Sequence, residues 1–176
     1  MKKLLILVAA LFAVGTVSAQ KFARINSQEI ITAMPEFAEM QKNLEAFGKD
    51  LQEQMEQIQV EFNNKMADFQ KNQNTMAASV KQMKQQELEQ LQQRYGEFQR
   101  IAQEDYQKKY EELLAPIQQK AADAIKKVAK AAGYLSVFDI SVPSLAYFDE
   151  AQLADIAAAV KKELGIVETP AATPAK

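Results

Sequence analysis

The sequence contains no cysteine, no histidine and no tryptophan. Without cysteine there is no disulfide, no thiolate nucleophile and no lipid attached through a lipobox cysteine. Without histidine the commonest general base near neutral pH and the commonest metal ligand are missing. Neither a glycine-rich phosphate loop nor a G-x-S-x-G elbow occurs. Adjacent acids such as Glu111-Glu112 and Asp149-Glu150 sit in helical or capping contexts, where a solvated face is the ordinary reading. The sequence therefore offers no catalytic residue, no metal site and no cofactor, and no enzyme is expected.

Glycine and proline are also scarce, five of each in 176 residues. After Pro35 only Gly48, Gly96 and Pro116 interrupt a stretch that reaches Ala132. Long apolar runs are missing as well: the longest, Leu4 to Val14, is too short to span a bilayer. It follows Lys2-Lys3 and precedes Val17-Ser18-Ala19, the layout of a cleavable export signal with cleavage after Ala19. Residues 1–19 are thus expected to be a signal peptide, and the mature protein to work outside the cytoplasm.

What fills residues 35–132 is Gln, Glu, Lys, Ala and Met, side chains that lose little rotamer freedom in a helix. Apolar residues fall at Met40, Leu44, Phe47, Leu51, Met55, Ile58, Phe62, Met66 and Phe69. Their spacing repeats every eleven residues, as Leu44, Met55 and Met66 show. The second half has matching columns, Leu91-Ala102-Leu113-Ala124 and Tyr95-Tyr106-Ile117-Val128. An eleven-residue period is about 3.67 residues per turn, so the seam runs nearly straight. The pattern lapses among Asn72, Gln73, Asn74, Thr75 and Ser79, which places a hairpin tip at about 72–79, with Ser79 and Gln82 as a capping box. Two arms roughly 60 and 80 Å long follow from a rise of 1.5 Å per residue. Gly133 reads as the glycine that ends the second arm.

The remainder, residues 20–34 and 133–166, is β-rich. Lys21 to Asn26 is a strand candidate, and Ser27 is placed as the cap of a short helical turn before Pro35. Tyr134–Ile140 and Ser144–Phe148 are two more strands around a turn at Pro143. A closing helix starts at Asp149 or at Asp155 and carries Ile156, Ala157, Val160 and Leu164 on one face. Val167 to Lys176 has no periodicity and reads as a disordered tail. About fifty residues with three short strands cannot bury enough apolar surface to be stable alone. Their edges would stay open. Copies of the chain are therefore expected to pool this body, through Phe22, Ile25, Val137, Phe138, Leu145 and Tyr147. The fold class is α+β, mostly α: a long antiparallel helical hairpin, or coiled-coil arm, projecting from a small β-strand oligomerisation body.

Removing Lys2 and Lys3 leaves 19 Lys+Arg against 23 Asp+Glu, a net charge of −4, which speaks against nucleic acid as a partner. The tip differs. Residues 63–86 hold Lys65, Lys71, Lys81 and Lys84 against Asp68 alone, a net of +3. The same region carries Met66, Phe69, Met76, Val80 and Met83 where the repeat fails, so these side chains have fewer partners in the opposite arm. Methionine re-packs easily and suits surfaces that accept many partners. The five apolar residues are candidates for binding a client and the four lysines form a basic tip, with transient contact to a membrane surface a further expectation.

Several segments together resemble a known family. They are Ile25-Asn26, Leu114-Ala115-Pro116-Ile117, Ala124-Ile125-Lys126-Lys127-Val128-Ala129, Gly133-Tyr134, Val137-Phe138-Asp139, Leu145-Ala146-Tyr147 and Asp155-Ile156. With the Gln/Lys/Glu-rich hairpin between them they resemble the Skp/OmpH family of periplasmic chaperones, over Lys21 to Leu164. The resemblance implies a homotrimer that holds unfolded outer-membrane β-barrel proteins without ATP, preventing their aggregation on the way to the outer membrane. Characterised members are strongly basic, whereas this chain is mildly acidic. The alternative is an exported coiled-coil scaffold of the cell envelope, with one specific partner and no effect on aggregation of unrelated barrels.

Overall fold

A computed structural model describes residues 21–143 and 147–167. In chain order it contains β1 (Lys21–Ile25), α1 (Ser27–Ala33), α2 (Pro35–Asn72), α3 (Ala78–Ala132), β2 (Tyr134–Asp139), a 3₁₀ turn (Glu150–Gln152), β3 (Ala154–Asp155) and α4 (Ala157–Glu163). Two units can be separated: residues 31–120, and the remainder, which includes the last turns of α3. The fold is α+β and mostly helical.

The hairpin unit follows from periodicity. Pro35 stands at the start of α2, where its missing N–H costs nothing and its fixed φ suits the helix. Met40, Leu44 and Ile58 are buried, and Phe47, Leu51, Met55, Phe62, Met66 and Phe69 are half-buried, so the expected row is the seam. Half-burial is what two helices can achieve, since each seam residue has only one neighbouring helix to cover it. The returning row holds Leu91 and Ile117, and also Leu88, which the eleven-residue columns do not include. Ion pairs Glu36–Lys120, Glu61–Arg94 and Lys65–Glu87 fix an antiparallel register, because their members step in opposite directions along the chain. Between the outer two, the ring of Tyr106 lies over Gly48, where an added Cβ would come within 3.2 Å of it. The absent side chain at Gly48 is what lets that ring close on the helix.

The tip is tighter than expected. α2 ends at Asn72 and α3 begins at Ala78. Thr75 closes the turn on the Asn72 carbonyl through both its N–H and its hydroxyl, at 2.9 Å each. Asn72 in turn donates to the Asp68 carboxylate at 2.8 Å. The Lys81 N–H bonds the Ala77 carbonyl at 3.0 Å, so Ala77 takes the cap position. Ser79 lies inside the first turn, and the Ser79–Gln82 capping box does not cap this helix. The helix starts two residues earlier because alanine at 77 and 78 already favours it.

The sheet unit is a three-stranded parallel sheet with β1 in the centre, in the order β2-β1-β3. Parallel neighbours need a long crossover, and here the entire hairpin supplies the one from β1 to β2. Phe22 faces Ser136 and Arg24 faces Phe138, while the one-residue shift after Lys21 leaves Leu135 as a bulge. Alternation sends Ala23 and Ile25 to one face, both buried, with Ile30, Ala121, Ala124, Ile156 and Val160 completing the buried set of this unit. α4 is clamped from two sides, by Lys161 to Glu29 at 2.8 Å and by Lys127 to Glu163 at 2.5 Å. Gly133 and Gly165 both have positive φ, 72° and 71°. After α4 the Ile166 N–H reaches the Lys161 carbonyl and the Gly165 N–H the Lys162 carbonyl, a Schellman ending that requires the left-handed residue.

Two expectations for this unit are corrected and one open alternative is decided. The cap of α1 is Asn26, whose Oδ1 accepts the Glu29 N–H at 3.1 Å; Ser27 is the first helical residue and is used elsewhere. Among the described residues the third strand is Ala154–Asp155, where Ser144–Phe148 was expected. Residues 144–146 of that expected strand lie outside the described residues, and Tyr147 and Phe148 form no strand. The pairing goes to Ala154–Asp155 because the Ile156 N–H can then reach the Arg24 carbonyl while Arg24 meets Asp155 at 3.4 Å. Of the two starts read for the closing helix the structure takes the one at Asp155, whose carboxylate accepts the Ala157 N–H at 2.9 Å beside the cap residue Ile156, whereas Asp149 opens only the 3₁₀ turn, through the Ala151 N–H at 3.0 Å. The expected signal peptide and cleavage site lie outside the described residues, as does all of the expected tail after Val167.

Candidate functional site

At the tip, the candidate apolar residues separate into two kinds. Met66, Phe69 and Met76 are half-buried in the hairpin. Val80 is 39% exposed and Met83 57%. These two are three residues apart on α3, so they share one face and present a small apolar patch to solvent. Buried seam positions below them are occupied by Leu88 and Leu91.

The basic tip is less basic than its sequence window suggests. Glu87 accepts bonds from Lys65 across the hairpin and from Lys84 at 3.1 Å within α3. Glu61 adds to this at 3.6 Å from Lys65, and Arg94 meets Glu61 at 3.8 Å. The hydrogen bond to Glu87 holds the Lys65 ammonium above its usual range. The bonds from Lys65 and Lys84 hold the Glu87 carboxyl below the ordinary carboxylate range. Lys71, which is exposed, and Lys81 lie nearer the turn. Glu87 falls just outside the window 63–86, and its role comes from hairpin register: Lys65 and Glu87 are each eleven residues from Met76. Counting outward from the turn would have found it.

Lower on the arm, a groove of about 260 Å³ opens beside Ile58, Phe62, Leu91 and Tyr95, with Gln59 and Gln92 at its rim. None of its lining residues is charged. A second groove, about 250 Å³, lies beside Met40, Leu113, Pro116 and Ile117, with Glu36, Glu39, Asn43 and Lys120 around it. Hydrogen bonding to Lys120 holds the Glu36 carboxyl below its ordinary range.

The sheet unit carries the expected oligomerisation residues, in two places. Ile25 is 2% exposed and belongs to the buried face of its own sheet. Phe22 and Phe138 occupy the opposite face, stacked with ring centroids 6.0 Å apart. They line a groove of about 220 Å³ with Tyr147, Phe148, Asp149, Gln152 and Leu153. Tyr147 is 84% exposed. Val137 is half-buried on the strand that pairs with β1, and Leu145 is outside the described residues. Sequence reading gives Phe148 only as a strand residue and misses Leu153, which no periodic element frames.

A further group ties the strand ends together. The Asp139 carboxylate accepts the Ser27 N–H at 3.2 Å, the Ser141 N–H at 3.0 Å and both serine hydroxyls. Partial burial alone would raise its pKa, but these four bonds outweigh it and hold the carboxyl below 3.8. These bonds make Asp139 a clasp between the end of β2 and the start of α1.

The whole arrangement has known counterparts. The chain is 27% identical over 143 residues to the chaperone protein Skp of Photorhabdus luminescens, covering 79% of this chain and 87% of that one. The same values hold for the chaperone protein Skp of Photorhabdus laumondii. A crystal structure of an OmpH-like protein from Caulobacter crescentus superposes with a TM-score of 0.71 at 13% identity, covering 82% and 83% of the two chains. That likeness shows a shared fold. The family model for OmpH-like outer membrane proteins matches residues 21–164, which takes in both the sheet unit and the hairpin, so the chain belongs to the OmpH-like family.

Proposed function

We propose that this protein is an ATP-independent holdase. It binds unfolded outer-membrane β-barrel proteins in the periplasm, after loss of its leader at Ala19, and keeps them from aggregating during transit to the outer membrane. The observation that carries this reading is the match of residues 21–164 to the OmpH-like family, together with 27% identity over 143 residues to a chaperone protein Skp.

The physical features of the hairpin suit the task. An unfolded barrel exposes apolar strands with unpaired backbone groups and has no fixed shape. Val80 and Met83 offer exposed apolar contact, and Met66, Phe69 and Met76 stand half-buried behind them. The uncharged groove beside Phe62 and Tyr95 adds apolar surface with glutamine amides at its rim. Such contacts are individually weak, but several acting on one client raise its effective concentration and hold it without a tight site. Release then needs no nucleotide: the client leaves when its membrane-folded state is lower in free energy.

Association of copies, as a homotrimer, belongs to the same proposal. Among the described residues the outer edges of β2 and β3 have no strand partner. The Phe22–Phe138 face lies opposite the buried face of the sheet. A further copy would cover both, which removes the exposed edges. Lys71 and Lys81, with Lys65 and Lys84 partly neutralised by Glu87, are proposed to make the transient contact with an anionic membrane surface.

The test is light scattering after diluting a urea-unfolded outer-membrane β-barrel protein into buffer. Stoichiometric mature protein should abolish the rise in scattering, with no added nucleotide. An unchanged rise rejects the holdase. Mass by light scattering, with Phe22→Ala and Tyr147→Ala variants, decides association: a folded monomer of the unaltered protein rejects the shared body.

A further inference from the structure

We propose that Met83 is an oxidant-sensitive site at the hairpin tip, converted to its sulfoxide by hydroperoxides before the other methionines of the hairpin, and that this conversion weakens the hold on clients. The consequence for clients rests on the holdase reading; the site itself does not.

The argument begins with composition. The chain has seven methionines and no cysteine, so thioethers are its only oxidisable sulfur. A thioether needs no deprotonation to react, and access decides its rate. The structure grades that access. Met34 and Met40 are 2% and 4% exposed. Met55, Met66 and Met76 are half-buried in the seam or the turn. Met83 alone of the six described methionines is largely in solvent.

In the reaction a sulfur lone pair attacks one oxygen of hydrogen peroxide. The S–O bond forms as the O–O bond breaks, and the departing hydroxide takes up the remaining proton. The products are methionine sulfoxide and water; sulfur is oxidised by two electrons and the peroxide is reduced by two. The apolar side chain becomes polar and keeps zero net charge. At position 83 that polar oxygen replaces half of the exposed Val80–Met83 patch. No buried methionine is touched, so the hairpin should stay folded. The seam residue Leu88, five residues farther along α3, remains covered.

The test treats the full mature protein with hydrogen peroxide and follows each methionine by peptide mass. Met83 should oxidise about tenfold faster than Met34 and Met40. Aggregation suppression is then compared, each sample against its own untreated control, for the unaltered protein and for Met83→Leu, which has similar volume and no sulfur. Treatment should cut suppression by the unaltered protein at least about twofold and leave Met83→Leu at its untreated level. A rate at any of Met34, Met40, Met55, Met66 or Met76 equal to that at Met83 overturns the site. Equal fractional losses in the two proteins overturn its consequence. A protein that suppresses nothing even before treatment fails the holdase reading and that consequence with it, while the peptide masses still decide the site.

Discussion

Replacing Asp139 by alanine is expected to loosen the sheet unit while leaving the hairpin intact. The carboxylate joins the end of β2 to the start of α1, accepting the Ser27 N–H at 3.2 Å, the Ser141 N–H at 3.0 Å and the Ser141 hydroxyl at 2.7 Å, together with the Ser27 hydroxyl. Alanine removes every one of these acceptors. The site is half-exposed, so water can re-satisfy part of what is lost. Two backbone N–H groups losing a charged acceptor then cost about 2 kcal/mol of local stability. That corresponds to an opening equilibrium about 30-fold larger. Asparagine keeps Oδ1 and can offer an N–H to the Ser27 oxygen, so Asp139→Asn should cost about 1 kcal/mol or less. The assay is hydrogen exchange read by mass on a peptide covering β1 and α1, with a peptide from the middle of α2 as internal control. A β1 protection that changes less than twofold in Asp139→Ala would refute the clasp. Ser27→Ala combined with Asp139→Ala should cost less than the two separate effects together, because both remove the same bonds. The pH dependence has a definite sign. The folded carboxyl lies below its ordinary 3.8, so its contribution is complete at neutral pH. It begins to fail once the pH drops into the unfolded carboxylate range and is gone below the folded value. The protection difference between the unaltered protein and Asp139→Asn should therefore shrink as the pH is lowered below about 4.

Two glycines in long helices should respond differently to alanine. Gly96 has open space where a Cβ would stand, so Gly96→Ala should raise stability in urea unfolding by about 0.5–1 kcal/mol. Gly48→Ala meets the Tyr106 ring at 3.2 Å and should gain little or nothing; a gain equal to that at position 96 would mean the ring does not sit there. Val160 is fully buried in the sheet unit, and Val160→Ala should cost about 2 kcal/mol there, seen as earlier loss of β1 protection in denaturant. Glu87→Gln removes the acid that neutralises Lys65 and Lys84, so binding to anionic vesicles at low salt should rise by up to about fivefold and the gain should vanish at high salt. Vesicle binding that is unchanged at low salt would show that these lysines do not face the surface.

The candidate site was legible in the sequence only in part. Met83 and Val80 were marked by the lapse in the repeat, and both are exposed. Lys65 and Lys84 were marked as positive charge, but their neutralisation by Glu87 depends on register across the hairpin. Phe22 and Phe138 could be named as strand residues, yet their stacking required knowing that β1 lies beside β2. Ile25 was grouped with them for oligomerisation, while alternation along β1 turns it to the buried side.

The sequence by itself determined the two long helices, the turn between them, the seam row from Met40 to Phe69, the glycine that ends the second arm at 133, and the lack of histidine and cysteine chemistry. Each of these rests on residues three or four positions apart, or on composition, so local reading suffices. Tertiary structure alone decided that Ala154–Asp155 pairs with β1, that Asp139 holds Ser27 across 112 residues of sequence, and that Tyr106 closes over Gly48. Strand pairing and clasps of that span have no periodic signature. Their geometry exists only once the hairpin has returned the chain to where it began, and a two-residue strand such as β3 is too short to announce itself before then.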